Sequence, residues 1–222
     1  MSANLANGGA DPEAFAQLVR VIEPDVVAVQ ELAPEQAEAL RRVLPFGRLE
    51  PARDHSGMGI ALRWPGTARR LLLPYRPAWV AELPPGEGSS GAEAIEIVNV
   101  HIAAPHGLPF WRALGRRHGQ LQGLEAYLDT APRRRRAVVG DLNATPLWPV
   151  YRRLAARFTD AATEAARWNG GHLRATWGPW AGSPRLLRID HVFVSWLAVH
   201  SLRVAPIEGS DHSALVVDLS PS

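Results

Sequence analysis

Short apolar runs alternate with segments of helical period along most of the chain. The segment 25–31 is continuously apolar up to a polar end, which is typical of a buried strand. Asp11 and Pro12 supply an N-cap and a first-turn proline for a helix that Pro24 ends. The same patterns predict helices near 34–43, 110–128 and 148–154, and strands at 58–62, 71–73, 78–83, 95–101, 137–139, 189–195 and 213–219.

The number of these strands bears on the fold class. Two packed sheets with helices outside accommodate them better than one open parallel sheet. The Gly-, Pro- and Ser-rich segment 84–91 is short and closely flanked by strands, so we interpret it as a hairpin loop. The region around Trp168, Trp177 and Trp180 is expected to be rich in loops. One domain over residues 1–222 is therefore the expected organisation.

Composition narrows the chemistry. The 222 residues include no cysteine, which excludes disulfides and thiolate metal sites, so oxygen or imidazole must hold any metal. The net charge of +2 does not require a polyanionic partner, although every basic residue other than histidine is an arginine. The run Arg133–Arg136 precedes a buried strand and is interpreted as a solvated turn. No apolar run is long enough to cross a bilayer, and no signal peptide is evident.

Polar residues recur where the predicted strands begin or end. In the sequence GDLNATP, Asp141 and Asn143 follow an apolar run, and side chains two residues apart on an extended chain share a face. Each such residue alone is readily explained as a cap, a turn residue or a structural histidine. The whole set is harder to explain that way: Asn4, Glu31, His101, Asp141, Asn143, Asp190, Asp211 and His212.

The short motifs around these residues resemble those of the endonuclease/exonuclease/phosphatase superfamily. That superfamily includes deoxyribonuclease-like enzymes, abasic-site endonucleases, inositol-phosphate phosphatases and neutral sphingomyelinases. The motifs occur in the family's order and span nearly the whole chain: SANL at 2–5, QE at 30–31, NVH at 99–101, GDLN at 140–143, RIDHV at 188–192 and SDH at 210–212. The resemblance implies an α/β (α+β) four-layer sandwich, in which two mainly antiparallel β-sheets pack face to face with helices outside.

The resemblance also implies a metal site. Glu31 is expected to be the principal Mg²⁺ (or Mn²⁺) ligand, with Asn4 and Asp211 close by. Oxygen ligands suit either ion. The ion would neutralise charge on the phosphate and help to stabilise the leaving oxygen.

The remaining residues are expected to act on water and phosphate. Asp141 would orient or deprotonate the attacking water, and Asn143 would hold a phosphoryl oxygen. His212, supported by Asp190, and His101 would donate hydrogen bonds or positive charge to the transition state. Weaker candidates are Arg117, Gln120 and Arg188 for phosphate contact and Trp177 and Trp180 for the substrate mouth, whereas His191 should face away from the site.

The beginning of the chain differs from the family pattern. Only three residues precede Asn4, so the first strand is expected to be truncated. Some bacterial relatives carry membrane helices ahead of this domain, which leaves open a membrane-anchored parent protein. The compartment is correspondingly open between the cytoplasm and the extracytoplasmic side, and a monomer is expected.

The leading functional hypothesis is a divalent-metal-dependent hydrolase of small or lipid-linked phosphoesters. No basic, aromatic-studded insertion of the kind that grips a duplex is found between the motifs. A DNA or RNA endonuclease or exonuclease is the alternative, since fold alone does not separate the two. A binding module without catalysis is the third hypothesis.

Overall fold

The computed structural model describes residues 1–84, 94–106, 109–169, 171 and 173–222. In this part of the chain the helices are α1 (Pro12–Ile22), α2 (Pro34–Arg41), α3 (Phe110–Asp129), α4 (Pro149–Ala155) and α5 (Ala161–Asn169). The strands are β1 (Ser2–Asn4), β2 (Val26–Gln30), β3 (Phe46–Glu50), β4 (Met58–Leu62), β5 (Thr67–Leu71), β6 (Ala78–Leu83), β7 (Ile95–His101), β8 (Arg136–Asp141), β9 (Thr159–Asp160), β10 (Asp190–Ser195), β11 (Leu197–Pro206) and β12 (Ser213–Pro221).

The described strands form two six-stranded sheets. The first has the order β11-β12-β1-β2-β4-β3 and the second has the order β5-β6-β7-β8-β10-β9. Pairing is antiparallel except between β1 and β2 and between β7 and β8. The predicted two mainly antiparallel sheets with outer helices are therefore confirmed.

Three apolar clusters show how the layers pack. The cluster between the sheets includes Met58, Ile60, Trp79, Val192 and Leu215. Residues of α1 and α2 pack on the first sheet, whereas residues of α3 and α4 pack on the second. Strands of both sheets are thus covered on two faces, which explains their continuously apolar sequences.

The first helix illustrates how local sequence fixes an element. The Oδ1 atom of Asp11 accepts a hydrogen bond from the backbone N–H of Ala14 at 2.8 Å, and Pro12 occupies the first turn. The helix ends at Glu23, which adopts a left-handed conformation. The predicted N-cap is confirmed, and with it the placement of α1 directly before β2.

Several element predictions need correction. The strand predicted at 71–73 is wrong, because β5 ends at Leu71 and the Leu72 side chain is 81% exposed. Trp168 lies on α5 rather than in a loop. Strands β3, β9 and β11 were not predicted, since β3 and β11 are largely open to solvent on at least one face and β9 has only two residues. Most of the proposed hairpin loop lies outside the described residues, although β6 and β7 on either side of it pair antiparallel.

The arginine run also differs from its interpretation as a solvated turn. Arg133 is exposed, but Arg136 is the first residue of β8 and is only 1% exposed. Its guanidinium group pairs with the buried carboxylate of Glu96. The last arginine of the run therefore belongs to the packed interior.

No helix in the described part of the chain is both long and apolar enough to cross a membrane.

Candidate active site

Strand ends from both sheets meet at one edge of the sandwich. In the second sheet, the Cα atoms of His101 and Asp190 lie opposite Asp141 on either side, because β7 and β10 both pair with β8. In the first sheet, Asn4 ends β1 and Glu31 directly follows β2. The fold thus brings together residues that are far apart in the sequence.

Unusual backbone geometry accompanies this convergence. Glu31 and Asn143 both have positive φ angles, 53° and 47°, which non-glycine residues rarely adopt. Gly140 has a φ of +133°, and a Cβ atom there would lie 2.0 Å from the carbonyl oxygen of Val100. Such strain is concentrated where function demands a particular side-chain direction.

Asp141 lies at the centre of the site and is almost fully buried. Its Oδ2 accepts hydrogen bonds from Asn4 Nδ2 at 3.0 Å and Asn143 Nδ2 at 3.1 Å, and its Oδ1 accepts one from the Asn143 backbone N–H at 2.7 Å. Burial and, after it, the Asp190 carboxylate raise the pKa of Asp141 to about 7, although His212 opposes the rise. A carboxylate with this pKa can accept a proton from water near neutral pH.

His212 and Asp190 form a buried pair. His212 Nδ1 donates to Asp190 Oδ2 at 2.9 Å, which leaves Nε2 directed toward Asp141 Oδ2 at 3.9 Å. Burial acts to lower the pKa of His212, but the carboxylates of Asp190, Asp141 and Asp211 outweigh it and raise the value to about 10. The imidazole can therefore present positive charge and an N–H donor to the cavity.

His101 is held in the opposite state. Burial lowers its pKa well below the usual value, and the charge of Arg76 lowers it further. Arg76 Nη1 lies 2.7 Å from Nδ1, and arginine can only donate, so the ring hydrogen is on Nε2. That atom lies 3.6 Å from Asp141 Oδ2 and 3.7 Å from Glu31 Oε1. His101 is thus a neutral donor between two carboxylates.

The polar groups open onto a cavity of about 550 Å³. Among its lining residues are Glu31, Asp141, Asn143, Asp211 and His212. Three carboxylates on one cavity wall, one of them buried and with a raised pKa, are a donor set that suits a hard divalent cation. Glu31 Oε2 also contacts His55 Nδ1 at 2.9 Å, and Asp211 Oδ2 accepts from Trp177 Nε1 at 3.0 Å.

Two groups of residues are candidates for holding the metal. Ligand atoms of Asp141, Asp190 and His212 lie within 4.8 Å of one another. His212 is protonated in this arrangement and already bonded to Asp190, so it is poorly prepared to ligate. The set predicted from the sequence is Glu31, Asn4 and Asp211. Asn4 is buried, and its Oδ1 accepts from the Ala6 backbone N–H at 3.0 Å, which leaves one lone pair.

The weaker candidates fall into different places. Trp177 and Trp180 line the cavity. Arg117 and Gln120 are buried and bind the backbone of Ala103, and Gln120 also donates to the His101 carbonyl. They therefore brace the strand end instead of facing a substrate.

Two more residues lie away from the cavity wall. Arg188 pairs with Asp160 at 2.7 Å and is not among the residues that line the cavity. The His191 side chain bonds to the Ala144 carbonyl at 2.8 Å, on the face opposite Asp190 as expected.

Sequence analysis missed several cavity residues: His55, Tyr75, Arg76, His106 and Arg116. Tyr75 and Arg76 stand between two prolines, a turn signal that carries no chemical meaning by itself. Arg116 resembles any exposed helical arginine. Their grouping depends on how the 72–77 loop packs on α3, which no short motif records.

Residues 1–212 match the sequence model described as the endonuclease/exonuclease/phosphatase family. No curated protein matches the chain.

Solved structures share the fold at low identity. The human Nocturnin catalytic domain with bound sulfate aligns with a TM-score of 0.71 at 18% identity, covering 94% of this chain and 85% of that one. A humanized D. rerio TDP2 gives 0.72 at 18%, covering 99% and 97%. A mannosyl-6-phosphatase from Bacteroides thetaiotaomicron VPI-5482 gives 0.65 at 16%, covering 99% and 98%. At these identities the likeness shows the fold alone.

Proposed function

Because the chain belongs to the endonuclease/exonuclease/phosphatase family, we propose that it is a divalent-metal-dependent hydrolase of phosphoester bonds. The observation that supports this most is the convergence of Glu31, Asp141 and His212 on one cavity, with the buried Asp190 bonded to His212. The substrate is a small or lipid-linked phosphomonoester or phosphodiester. Water forms a new bond to phosphorus as the ester P–O bond breaks, and the leaving oxygen takes up a proton.

Glu31 and Asp211, with Asn4 Oδ1, would hold Mg²⁺ or Mn²⁺. Once bound, a divalent ion supplies positive charge against the phosphate oxygens and the leaving oxygen. The acidic wall of the cavity is suited to this role because His101 beside it is neutral. His101 therefore adds no positive charge to balance the carboxylates.

The protein's own groups divide the remaining work. Asp141 is kept in place by Asn4 and Asn143, so its free lone pairs can orient water and accept its proton. The Asn143 amide donates to Asp141 and to the Ile102 carbonyl, so it would contact a phosphoryl oxygen by giving up one of these bonds. His212, fixed by Asp190, donates from Nε2 to the charge that develops on phosphate, and His101 donates from its own Nε2.

Cleavage of nucleic acid is the second candidate. The exposed ring of Tyr75 and the exposed indole of Trp180 lie at the cavity beside Arg76 and Arg116. Aromatic faces and guanidinium groups together favour stacked bases and backbone phosphates. Binding that weakens steeply with salt, together with cleavage of a labelled single strand, would support this candidate.

Hydrolysis of bis(p-nitrophenyl) phosphate and p-nitrophenyl phosphate with Mg²⁺ or Mn²⁺ tests the proposal. Glu31→Gln and His212→Ala should each lower kcat by about 1000-fold, because each removes charge acting on the transition state. Glu38→Gln, on the exposed face of α2, is the matched control and should retain activity.

Thermal unfolding measures metal binding independently of hydrolysis. Mn²⁺ should raise the melting temperature of the wild type and not that of Glu31→Gln. A folded wild type that binds Mn²⁺ but hydrolyses neither ester would support the binding module. Full activity in folded Glu31→Gln would contradict the assigned metal site.

A further inference from the structure

We propose that Tyr75, Arg76 and Arg116 form a subsite for a second phosphate group of the substrate. The inference rests on the proposed function and narrows its substrate class. It concerns three basic or aromatic residues of the cavity lining, which are called the second-phosphate subsite below. All three line the same cavity as Glu31 and Asp141.

A strained turn presents the first two residues. The Arg76 backbone N–H donates to the Pro74 carbonyl at 2.9 Å, and Tyr75 between them has a φ of 71°. This is the rare γ-turn, which tyrosine adopts only when its surroundings hold it there. Gln120 Nε2 provides one such restraint by donating to the Arg76 carbonyl at 3.3 Å. The turn places the Tyr75 ring 53% exposed at the cavity.

Helix α3 provides the second restraint. A Cβ atom at Gly119 would lie 3.5 Å from Pro74, and one at Gly123 would lie 3.0 Å from it. The missing side chains therefore let the turn pack directly on the helix. Arg116 lies three residues before Gly119 and so shares this helix face. The position of Arg116 relative to Tyr75 is thus set by the packing.

Both guanidinium groups of the subsite lie near the Tyr75 ring. Arg116 Cζ lies 4.5 Å and Arg76 Cζ 5.5 Å from the centre of the Tyr75 ring. Among the residues that the structure describes, no carboxylate oxygen lies within 4.0 Å of either guanidinium. Asp54 is near enough for Arg76 to lower its pKa, but its carboxylate accepts from the Ser56 backbone N–H. Two guanidinium groups without a paired anion are suited to phosphate.

The subsite is separate from the place of the scissile phosphate. Arg76 contacts Nδ1 of His101, whereas Nε2 on the other edge of the ring faces Asp141 and Glu31. The imidazole thus stands between Arg76 and the carboxylates. Arg116 approaches the Tyr75 ring instead. A substrate that uses both places carries two phosphates, as in a small bisphosphate or in successive nucleotides of a chain.

A matched pair of substrates tests the subsite. Thymidine 5′-(p-nitrophenyl phosphate) and the same ester with a 3′-phosphate have one scissile bond and one leaving group in common. We expect the wild type to favour the 3′-phosphorylated ester by about 10- to 100-fold in kcat/KM, as for charge-assisted hydrogen bonds. Arg116→Met should bring this ratio close to 1, chiefly through KM, and Arg116→Lys should restore part of it.

Arg112→Met is the control, since Arg112 is exposed one turn earlier on α3 and does not line the cavity. It should keep the wild-type ratio. A kcat/KM ratio near 1 in the wild type, or a ratio that Arg116→Met leaves unchanged, would overturn the subsite. Hydrolysis of the esters would in that case still support the proposed function.

Two further measurements assign the source of the phosphate and separate the two failures. If a short single-stranded oligonucleotide is cleaved with the same dependence on Arg116, the second phosphate belongs to a nucleotide chain. If the 3′-phosphorylated ester is preferred but the oligonucleotide is not cleaved, the second phosphate belongs to a small bisphosphate. Both outcomes support the subsite. If neither ester is hydrolysed, the proposed function fails. Calorimetry then compares thymidine 3′,5′-bisphosphate with thymidine 5′-monophosphate: tighter binding of the bisphosphate that Arg116→Met abolishes supports the subsite, and equal binding overturns it.

Discussion

The two ends of the β7–β8 pair place buried charges in opposite situations. At the beginning of the strands, Glu96 lies opposite Arg136, and at the end His101 lies opposite Asp141. Glu96 also pairs with Arg134 at 3.1 Å and accepts from the Tyr127 hydroxyl at 2.6 Å. Each charge at this end therefore has a close partner of opposite sign or a hydroxyl donor.

The other end is not balanced in this way. Asp141 shares the site with Asp190 and Glu31, and burial keeps its pKa near 7. His101 beside it is neutral, so among the described residues within 4.0 Å of Asp141 the positive charge comes from His212. Burial of charge alone therefore does not distinguish a functional site. Like charges held close together beside a cavity do, because they leave interactions for a ligand to complete.

Breaking the balanced end should have the largest effect. Arg136→Met leaves the Glu96 carboxylate buried without its main partner, so we expect the free energy of unfolding to fall by about 4 kcal/mol. Denaturant titration measures this loss. The double variant Glu96→Gln/Arg136→Met should recover about half of it or more, since no unpaired charge remains.

Arg133→Met is the control for that variant, because Arg133 is exposed in the same run. It should change stability by less than about 0.5 kcal/mol. Equal losses of stability in Arg136→Met and Arg133→Met would show that the buried Glu96–Arg136 pair does not stabilise the fold.

A second prediction concerns the close contact of the same strands near the site. Gly140→Ala would place Cβ against the carbonyl oxygen of Val100, so β7 and β8 must separate. We expect a loss of about 3 kcal/mol in stability, with activity falling further because Asp141 follows directly. Gly115→Ala on α3 meets nothing within 4 Å and should be neutral or gain up to about 1 kcal/mol. Thermal unfolding of both variants decides the point.

The two ends of the β7–β8 pair also differ in how well the sequence predicts them. The placement of Asp141 and Asn143 at the end of β8 was predictable, because side chains two residues apart on an extended chain share a face. The GDLN motif is also specific when it occurs together with the other motifs. Arg136 was not predictable, since its partner Glu96 is 40 residues away and a run of four arginines usually lies in solvent. Tyr75 and Arg116 were missed for the same physical reason: their contact arises from packing between a turn and a helix. Element types with strong periodicity were mostly right, whereas exposed strands such as β3 lack the apolar signal.

A third prediction tests whether the unbalanced end acts through the Asp190–His212 pair. Asp190→Asn keeps an oxygen that can accept the Nδ1–H of His212 but removes the charge that keeps the ring protonated. We expect kcat to fall about 100-fold with a small change in KM, as for loss of a general acid. Asp160→Asn is the matched control, because Asp160 is also buried but pairs with Arg188 away from the cavity. It should lower stability and leave kcat unchanged.

The same variant changes the pH dependence of stability. The pKa of His212 is raised in the folded state, so its contribution is complete below pH 6.5 and is lost as pH rises through about 10. The metal-free wild type should lose stability over this window, and Asp190→Asn should lose less. An identical slope in the two proteins would contradict the assigned role of Asp190.

The smallest effect is expected from a histidine on the other face of the same strand. His191 is buried beside Arg188 and bonds to the Ala144 carbonyl, and burial followed by the Arg188 charge lowers its pKa to about 4. At His191 the folded state therefore binds fewer protons than the unfolded chain between pH 6.5 and about 4, and the contribution of this residue to stability falls as pH falls through that range. At pH 5 this amounts to about 2 kcal/mol for a shift of this size.

His191→Gln keeps an N–H donor near Ala144 and removes the titration. Urea unfolding at pH 7 and pH 5 should show a smaller acid loss in this variant than in the wild type. Activity at pH 7 should be retained, because the His191 ring does not line the cavity. A variant that loses activity but keeps the wild-type loss of stability in acid would contradict this assignment. His191 would then belong to the active site, although it lies on the face of β10 opposite its neighbour Asp190.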